Sequence, residues 1–222
     1  DGGDGVDTVD YSQNKFAVKV DLANGVATSR PKFLGTVGND TVVNVENIIG
    51  RPEGRDLLVG TDGPNEILAG GVDPALVVKK GGGDVVYGLG GDDVLDAGGP
   101  EADAIAVRLY GGAGNDVLKG TMNFDWVLDG GEGDDIIEAY GGHDNLVGGA
   151  GDDILDGGEG EFDVAHFDGK VQNYSICQKA DGTIVVTDLV GADGTDEITN
   201  VEFLRFKNWI VFVKYANIPV CE

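Results

Sequence analysis

The chain has 222 residues, of which 39 are glycine, and its formal net charge is −25. Glycine loses much backbone entropy on folding, and the negative charge makes a compact state repel itself. Composition therefore leaves two alternatives, an acidic disordered segment or a fold whose carboxylates are neutralised by cations. The 41% hydrophobic content favours the fold. The acidic surplus argues against nucleic acid and anionic membrane as partners, since both need clustered basic residues. The sequence has no run of 18 apolar residues, so it predicts no membrane span.

Residues 1–50 predict an N-terminal flank of β-strands. The stretches GGDGVDTVDYS, VKVDLANGVA and DTVVNVENIIG read as alternating strands with turn residues between them. Because the sequence opens inside a glycine-rich pattern at Asp1, we expect a fragment of a longer protein. The remaining chain divides into a repeat region, 51–165, and a C-terminal segment, 166–222.

The repeat region carries a nonapeptide of the form G-G-x-G-x-D-x-U-x, in which U is a large aliphatic residue. Clear copies begin at Gly111, Gly130, Ala139 and Gly148, and fainter ones at Arg51, Lys79 and Gly88. The stretches 60–69 and 120–129 are interpreted as ten-residue versions, and 97–110 as an irregular insertion. A fixed period of this kind is typical of a solenoid built by stacking one small unit.

Each position of the repeat has a physical role. The glycines allow sharp turns with positive φ, the aspartate ends the turn, and positions 7 to 9 form a short strand whose middle residue points inward. The predicted core is Val86, Leu95, Leu118, Ile137, Leu146 and Leu155. Two nonapeptides make one coil of about 18 residues, so the fold class predicted is all-β, a parallel β-roll.

The stacked turns are predicted to bind calcium. The turn 130–135 should lie beside the turn 148–153, so that Asp135 and Asp153 face one gap together with backbone carbonyls. All of these groups are hard oxygen ligands, which suit calcium and disfavour zinc or copper. Magnesium gives up its waters reluctantly and fits a cage of carbonyls poorly.

These repeats resemble the RTX (repeats-in-toxin) family of secreted calcium-binding proteins, and the resemblance implies three sets of ligands. One set is Gly131, Gly133, Asp135, Gly148, Ala150 and Asp153. Another is Tyr140, Gly142, Asp144, Gly157 and Glu159, with Asp163 one residue past the usual aspartate position. The third is Gly112, Gly114, Asp116, Gly130, Glu132 and Asp135, across a ten-residue repeat. Further candidates are Asp93 and also Asp84, although Lys79 and Lys80 replace the glycines that should precede Asp84.

The C-terminal segment predicts more strands, which would form an antiparallel cap or sandwich over the open end of the roll. Its stretch DGTDEITNVEFLRF is similar to the end of the rolls in serralysin-type proteases. The expected core of the cap is Phe203, Leu204, Phe206, Trp209 and Phe212. Cys177 and Cys221 either form a disulfide or remain a buried thiol and a loose one.

We expect no enzyme activity from this chain. A zinc protease needs HExxH on a helix, whereas His143 and His166 lack that context: the first is expected to face solvent and the second to lie on a strand. The resemblance implies a secreted domain that folds on calcium outside the cell and supports type I secretion or stabilises an attached domain. The alternatives are an adhesin or polysaccharide-binding module with glycan ligands, and a non-catalytic fragment of a secreted enzyme.

Overall fold

A computed structural model describes residues 1–14, 16–29, 38–50, 56–69, 83–99 and 107–221 of the chain. Within these ranges the protein is built of β-strands, with a single 3-10 turn at Val171–Asn173. No helix in the described part of the chain has the length and apolarity to cross a bilayer.

The described residues form 22 short strands, most of them three to six residues long. In chain order they are β1 (Thr8–Asp10), β2 (Val18–Asp21), β3 (Val26–Ser29), β4 (Gly38–Thr41), β5 (Asn47–Ile49), β6 (Leu57–Val59), β7 (Glu66–Leu68), β8 (Val85–Gly90), β9 (Val94–Gly99), β10 (Arg108–Ala113), β11 (Val117–Thr121), β12 (Val127–Glu132), β13 (Ile136–Gly142), β14 (Asn145–Ala150), β15 (Ile154–Asp156), β16 (Glu159–Gly160), β17 (Val164–Phe167), β18 (Tyr174–Gln178), β19 (Ile184–Asp188), β20 (Thr195–Thr199), β21 (Phe203–Phe206) and β22 (Trp209–Phe212).

The strands belong to two sheets that run along the whole roll. One has the order β1-β5-β7-β9-β11-β13-β15-β20-β19-β18, with β16 beside β13. The other has the order β22-β21-β17-β14-β12-β10-β8-β6-β2-β3-β4. Successive coils pair in parallel, which confirms the predicted β-roll, and antiparallel pairs occur only toward the two ends of these sheets. Both sheets contain strands from all three predicted segments, so they continue across the predicted boundaries at residues 50 and 165. The division into three segments remains a sequence-based prediction.

The core is a double column of aliphatic side chains between the sheets. Leu118 pairs with Leu95 and Ile137 in one sheet, and Leu128 pairs with Leu109 and Leu146 in the other. All six residues expected from the repeat to point inward, Val86, Leu95, Leu118, Ile137, Leu146 and Leu155, are fully buried. Full burial of such a side chain contributes about 1.5–3 kcal/mol, so this column offsets much of the entropy lost by the glycines.

The coils are less regular than the 18-residue repeat. Equivalent turn residues are 18 positions apart between Asp135 and Asp153, 19 between Asp116 and Asp135, and 23 between Asp93 and Asp116. The strands still pair, because extra residues are accommodated between them, although the register of the β9–β11 pair shifts once, between Lys119 and Thr121. The predicted insertion 97–110 lies partly outside the described residues, and Lys79 and Lys80 lie entirely outside them.

The C-terminal cap has a smaller core than the sequence predicted. Leu204 and Phe206 are buried, and Phe206 stacks on Phe167 with ring centroids 4.9 Å apart. The prediction was wrong for Trp209 and Phe212, which are 65% and 51% exposed. They lie on β22, which is the last strand of its sheet, so one side of that strand has no neighbouring strand.

A disulfide joins Cys177 to Cys221, which settles the question that the sequence left open. The residues beside it also pair, because Gln178 N–H donates to Pro219 O at 2.8 Å and Cys221 N–H donates to Gln178 O at 3.0 Å. The C-terminal tail is therefore attached along β18.

Candidate metal sites in the turns

The glycines of the turns allow successive coils to approach closely. Gly131 and Gly133 have φ of 117° and 127°, which L side chains rarely adopt. A Cβ on Gly149 or Gly151 would collide with the carbonyl oxygen of Gly131 or Gly133 in the turn before it. Carbonyl groups of each turn therefore project toward the next turn.

A ladder of hydrogen bonds links the aspartates on one side of the roll. The N–H of Asp116 donates to Oδ1 of Asp135 at 2.7 Å, and the N–H of Asp135 donates to Oδ1 of Asp153 at 2.9 Å. The first ladder consists of Asn65, Asp93, Asp116, Asp135, Asp153 and Asp196. Each carboxylate thus connects its own turn with the preceding one.

A second ladder has the same geometry on the opposite side of the roll. The N–H of Asp125 donates to Oδ1 of Asp144, and that of Asp144 donates to Oδ1 of Asp163, both at 2.7 Å. Glu202 ends this ladder, since its Oε2 accepts the N–H of Asp163 at 3.0 Å. Asp84 lies on this side, where its Oδ1 accepts the N–H of Asp56 at 2.7 Å.

The second oxygen of many ladder aspartates is buried and has no hydrogen-bond partner among the described residues. These unpartnered Oδ2 atoms belong to Asp93, Asp116, Asp135, Asp144, Asp153 and Asp163, and Asp7 near the N-terminus has one too. A buried oxygen without a partner costs about 1–3 kcal/mol, and more when it is charged. The turns therefore contain acceptors that no described residue satisfies.

The electrostatics of the ladders favour a positive ligand. Burial raises the pKa of Asp135 to about 7 and that of Asp144 to about 8, and neighbouring aspartates add to the effect while backbone hydrogen bonds oppose it. Burial likewise raises the pKa of Asp93 to about 7 and those of Asp153 and Asp163 to about 6. The ion pairs found between described residues, Lys19–Asp21 and Lys179–Glu197, involve none of these carboxylates.

The first predicted ligand set is brought together by the structure. Asp135 and Asp153 bound one gap, and the carbonyls of Gly131 and Gly133 point into the contact with the next turn. The Ala150 carbonyl lies there as well and accepts the Gly133 N–H at 2.7 Å. Gly148 lies directly under the Asp153 carboxylate, where a Cβ would meet Oδ2.

The third set has the same arrangement despite its ten-residue repeat. The carbonyls of Gly112 and Gly114 face Gly131 and Gly133 of the next turn. A Cβ on Gly111 would lie 2.6 Å from Gly130 O, so that carbonyl faces back across the same gap. The Glu132 carbonyl accepts the Gly114 N–H at 2.7 Å, and Asp116 and Asp135 complete the set. The extra residue of this coil does not distort the turn.

The second set is assembled as well, and Asp163 takes the place of the displaced aspartate. Asp163 is fully buried and accepts the Asp144 N–H, although Phe162 stands at its expected position. The carbonyls of Tyr140 and Gly142 face Gly158 and Gly160. Glu159 O lies near Gly141, whereas Gly157 donates its N–H to Thr199 O on β20.

In two turns, a backbone N–H of the same turn already donates to the side-chain oxygen of the last turn residue. In the turn at 120–125, Oδ2 of Asp125 accepts the N–H of Thr121 at 2.9 Å, and in the turn at 60–65, Oδ1 of Asn65 accepts the N–H of Thr61 at 2.6 Å. Threonine stands at the second position of both turns, where the turns that begin at Gly111, Gly130, Gly148 and Gly157 have glycine. That substitution is the sequence signal for a turn whose side chain is already satisfied.

Sequence reasoning missed several ladder members. Asp125 belongs to a coil that departs from the nine-residue period, and Asp196 follows Asp153 by 43 residues. Asp7 was not recognised either, although G-G-x-G-x-D is present from Gly2 to Asp7. These positions fall where the period is interrupted, and only the three-dimensional stacking assigns them to the turns.

The arrangement fits calcium. Among the described residues, four gaps have an unpartnered Oδ2 on both sides, those between Asp93 and Asp116, Asp116 and Asp135, Asp135 and Asp153, and Asp144 and Asp163. The described ranges contain no group of three or more His, Cys, Asp or Glu side chains that could hold a metal ion, and each gap offers two carboxylates and several carbonyls instead. Calcium accepts such a set of six to eight oxygens in irregular geometry.

Neither histidine is a member of the ladders, but His143 lies close enough to Asp163 to lower the pKa of that carboxyl against the larger effect of burial. His143 is exposed at the fifth position of its turn, as expected. His166 lies on β17, where its Nε2 is 2.9 Å from Asn145 Oδ1 and burial lowers its pKa.

Comparison with known families agrees with the geometry. The family model that describes the RTX calcium-binding nonapeptide repeat matches four copies, at residues 80–99, 107–126 and 129–161. The matched ranges contain Asp93, Asp116, Asp135, Asp144 and Asp153. No curated protein matches the chain.

Proposed function

This chain carries RTX calcium-binding nonapeptide repeats, and we propose that it is a calcium-dependent folding domain of a secreted protein. The observation that carries the proposal is the set of six buried Oδ2 atoms, four in the first ladder and two in the second, that have no partner among the described residues. Without a cation these oxygens oppose folding, and with calcium they become ligands.

The size of the effect supports a switch. Binding to the folded state alone stabilises it by about 2.7 kcal/mol per site at a hundredfold excess over the dissociation constant. Four gaps of this kind would contribute about 11 kcal/mol, comparable to the 5–15 kcal/mol that holds a typical domain together. Low calcium should therefore leave the domain unfolded.

Such a switch suits export. A chain that stays unfolded in the calcium-poor cytosol can pass through the narrow channel of a type I secretion system and fold outside. The disulfide between Cys177 and Cys221 favours the same location, because disulfides persist in oxidising surroundings. The proposed role is to stabilise a domain attached to this chain, and we assign no catalytic step to it.

A calcium titration of the purified domain tests the proposal. Far-ultraviolet circular dichroism in excess chelator should show a largely unfolded chain, and millimolar calcium should restore the β-sheet signal. Magnesium at the same concentration is the control and should not restore it. A β-sheet spectrum that stays unchanged in chelator would refute the switch.

A further inference from the structure

The two ends of the roll contain the same structural unit. The N-terminal end unit (residues 2–50) and the C-terminal end unit (157–206) each begin with a glycine-rich turn that ends in aspartate. In each, a strand after the turn pairs in parallel with a strand that follows an Asn-Val-Glu sequence, and an antiparallel meander lies between them.

The hydrogen bonds of the two units match one for one. Asp7 N–H donates to Oε2 of Glu46 at 2.8 Å, and Asp163 N–H donates to Oε2 of Glu202 at 3.0 Å, with 39 positions between the partners in both cases. The Asp7 carbonyl accepts the N–H of Glu46, and the Asp163 carbonyl accepts the N–H of Glu202, both at 3.1 Å. The asparagines of the two Asn-Val-Glu sequences, Asn44 and Asn200, have φ of 51° and 52°.

In each unit, we call the side that is directed toward the preceding coil the leading face. The C-terminal unit shows what this leading face contacts. Its β17 and β20 pair in parallel with β14 and β15 of the coil before it, residues 139–156. Val164 N–H donates to Asp144 O at 2.9 Å, and Glu197 N–H donates to Asp153 O at 2.8 Å. Asp196 is buried in this contact, and its Oδ1 accepts the Asp153 N–H.

The leading face of the N-terminal unit lacks these contacts among the described residues. Its strands β1 and β4 are the last strands of their sheets. Asp40, the counterpart of Asp196, is exposed. Gly3 and Gly5 have φ of 92° and 124°, as in the stacked turns, but nothing lies within 4 Å of a Cβ built on them.

The polar groups of this face are directed outward. Val42 N–H donates to Gly25 O, so the alternation of an antiparallel pair points Thr41 N–H to the other edge. Tyr11 N–H donates to Ile49 O on β5, so the alternate residue Thr8 points its N–H away from β5. Asp7, like its counterpart Asp163, also has a buried Oδ2 without a partner among the described residues.

We propose that this leading face, formed by the turn Gly2–Asp7, β1 and β4, accepts a further coil of G-G-x-G-x-D repeats that is covalently continuous with Gly2. That coil would stand to the N-terminal unit as residues 139–156 stand to the C-terminal unit. The N-terminal unit is then an internal joint between two blocks of the roll.

The opposite end of the chain is closed, which argues against a second copy as the occupant. In the N-terminal unit, Leu22 N–H donates to Val59 O, so β2 carries the next coil through β6. At the corresponding place in the C-terminal unit, Gln178 N–H donates to Pro219 O of the tail, which the disulfide anchors. A second copy stacked head to tail would have to displace that tail.

The test is to fuse an 18-residue segment with the sequence of residues 139–156 in front of Gly2. In saturating calcium, amide hydrogen exchange at Thr8 and Thr41 should slow at least tenfold relative to the parent domain, and at least one more calcium ion should bind per chain. The matched control is the same fusion with the copies of Asp144 and Asp153 changed Asp→Asn, which should exchange like the parent.

Three results would overturn the proposal. They are exchange at both amides within twofold of the parent, equal protection in the control fusion, and concentration-dependent protection in the parent with a dimer in sedimentation equilibrium, which would make a second copy the occupant. The inference can fail alone, because calcium-dependent folding of the unfused parent is measured in the same titration.

Discussion

Asp135→Asn is the substitution that separates a metal ligand from a structural turn residue. Asp135 lies in the middle of the first ladder, where its Oδ1 accepts the Asp116 N–H at 2.7 Å and its Oδ2 is buried. Asparagine keeps the accepting oxygen but replaces Oδ2 by an NH₂ group, which repels a cation. The substitution should therefore leave the turn intact and remove calcium binding.

The expected change has opposite signs with and without calcium. Asp135 bounds two gaps, and loss of both sites costs about 5 kcal/mol at a hundredfold excess of calcium. Burial raises the pKa of the carboxyl to about 7, so its contribution to stability is full below pH 4 and lost as pH rises through 7. At pH 8 in chelator, removing the charge should stabilise the fold by about 2 kcal/mol after allowance for solvent screening.

The assay is folding followed by circular dichroism at pH 8, against urea in calcium and against a stabilising osmolyte in chelator, where the domain is unfolded without one, with Asp134→Asn as the matched control. Asp134 is the exposed neighbour, and its Oδ1 accepts the Asp152 N–H at 2.8 Å. The control removes the same formal charge and should change stability by less than about 1 kcal/mol in either condition. The reasoning fails if Asp135→Asn destabilises equally in both conditions, or if Asp134→Asn loses as much stability in calcium.

Three further perturbations test other parts of the structure. In chelator with the same osmolyte, the free energy of unfolding should fall between pH 5 and pH 8 as the raised pKa values, such as that of about 8 at Asp144, are crossed; a folded fraction that rises with pH would contradict this. Cys221→Ser removes a disulfide between residues 44 positions apart and should lower the free energy of unfolding by up to about 4 kcal/mol. In calcium the variant should therefore have a lower Tm than the parent, and reductant should abolish this difference. Leu89 has φ of 85°, so Leu89→Gly should raise the free energy of unfolding by about 1 kcal/mol, whereas Leu189→Gly at an exposed position with no positive φ should not raise it.

The sequence was sufficient for the regular part of the fold. A period of nine with an aliphatic residue at position 8 predicts which side chains stack, and Leu118, Ile137 and Leu155 are buried accordingly. The same period predicts that Asp135 and Asp153 face one another, because stacking of short coils leaves no other neighbour for a turn. Local pattern and global fold agree in this region.

The irregular parts were beyond sequence reasoning for physical reasons. A roll can accommodate extra residues between strands that still pair with each other, so a spacing of 23 residues hides a stacked pair such as Asp93 and Asp116. Aromatic residues in a terminal strand look like core residues in sequence, yet Trp209 lies on a strand with one open edge. The similarity of the two end units is not evident in the sequence, because the contacts that they share depend on a few residues, such as Asp7 and Glu46, within strands of dissimilar sequence.

The distribution of satisfied and unsatisfied turns bears on how calcium should bind. In the first ladder, Asp93, Asp116, Asp135 and Asp153 follow one another, so three consecutive gaps share carboxylates. An ion in one gap fixes a carboxylate that also lines the next, so part of the ordering cost of the second ion has been met. In the second ladder, Thr121 closes the turn that precedes Asp144. Steep, cooperative binding is therefore expected of the first ladder, and Asp135→Asn, which removes one of its middle carboxylates, should flatten the calcium titration as well as shift it.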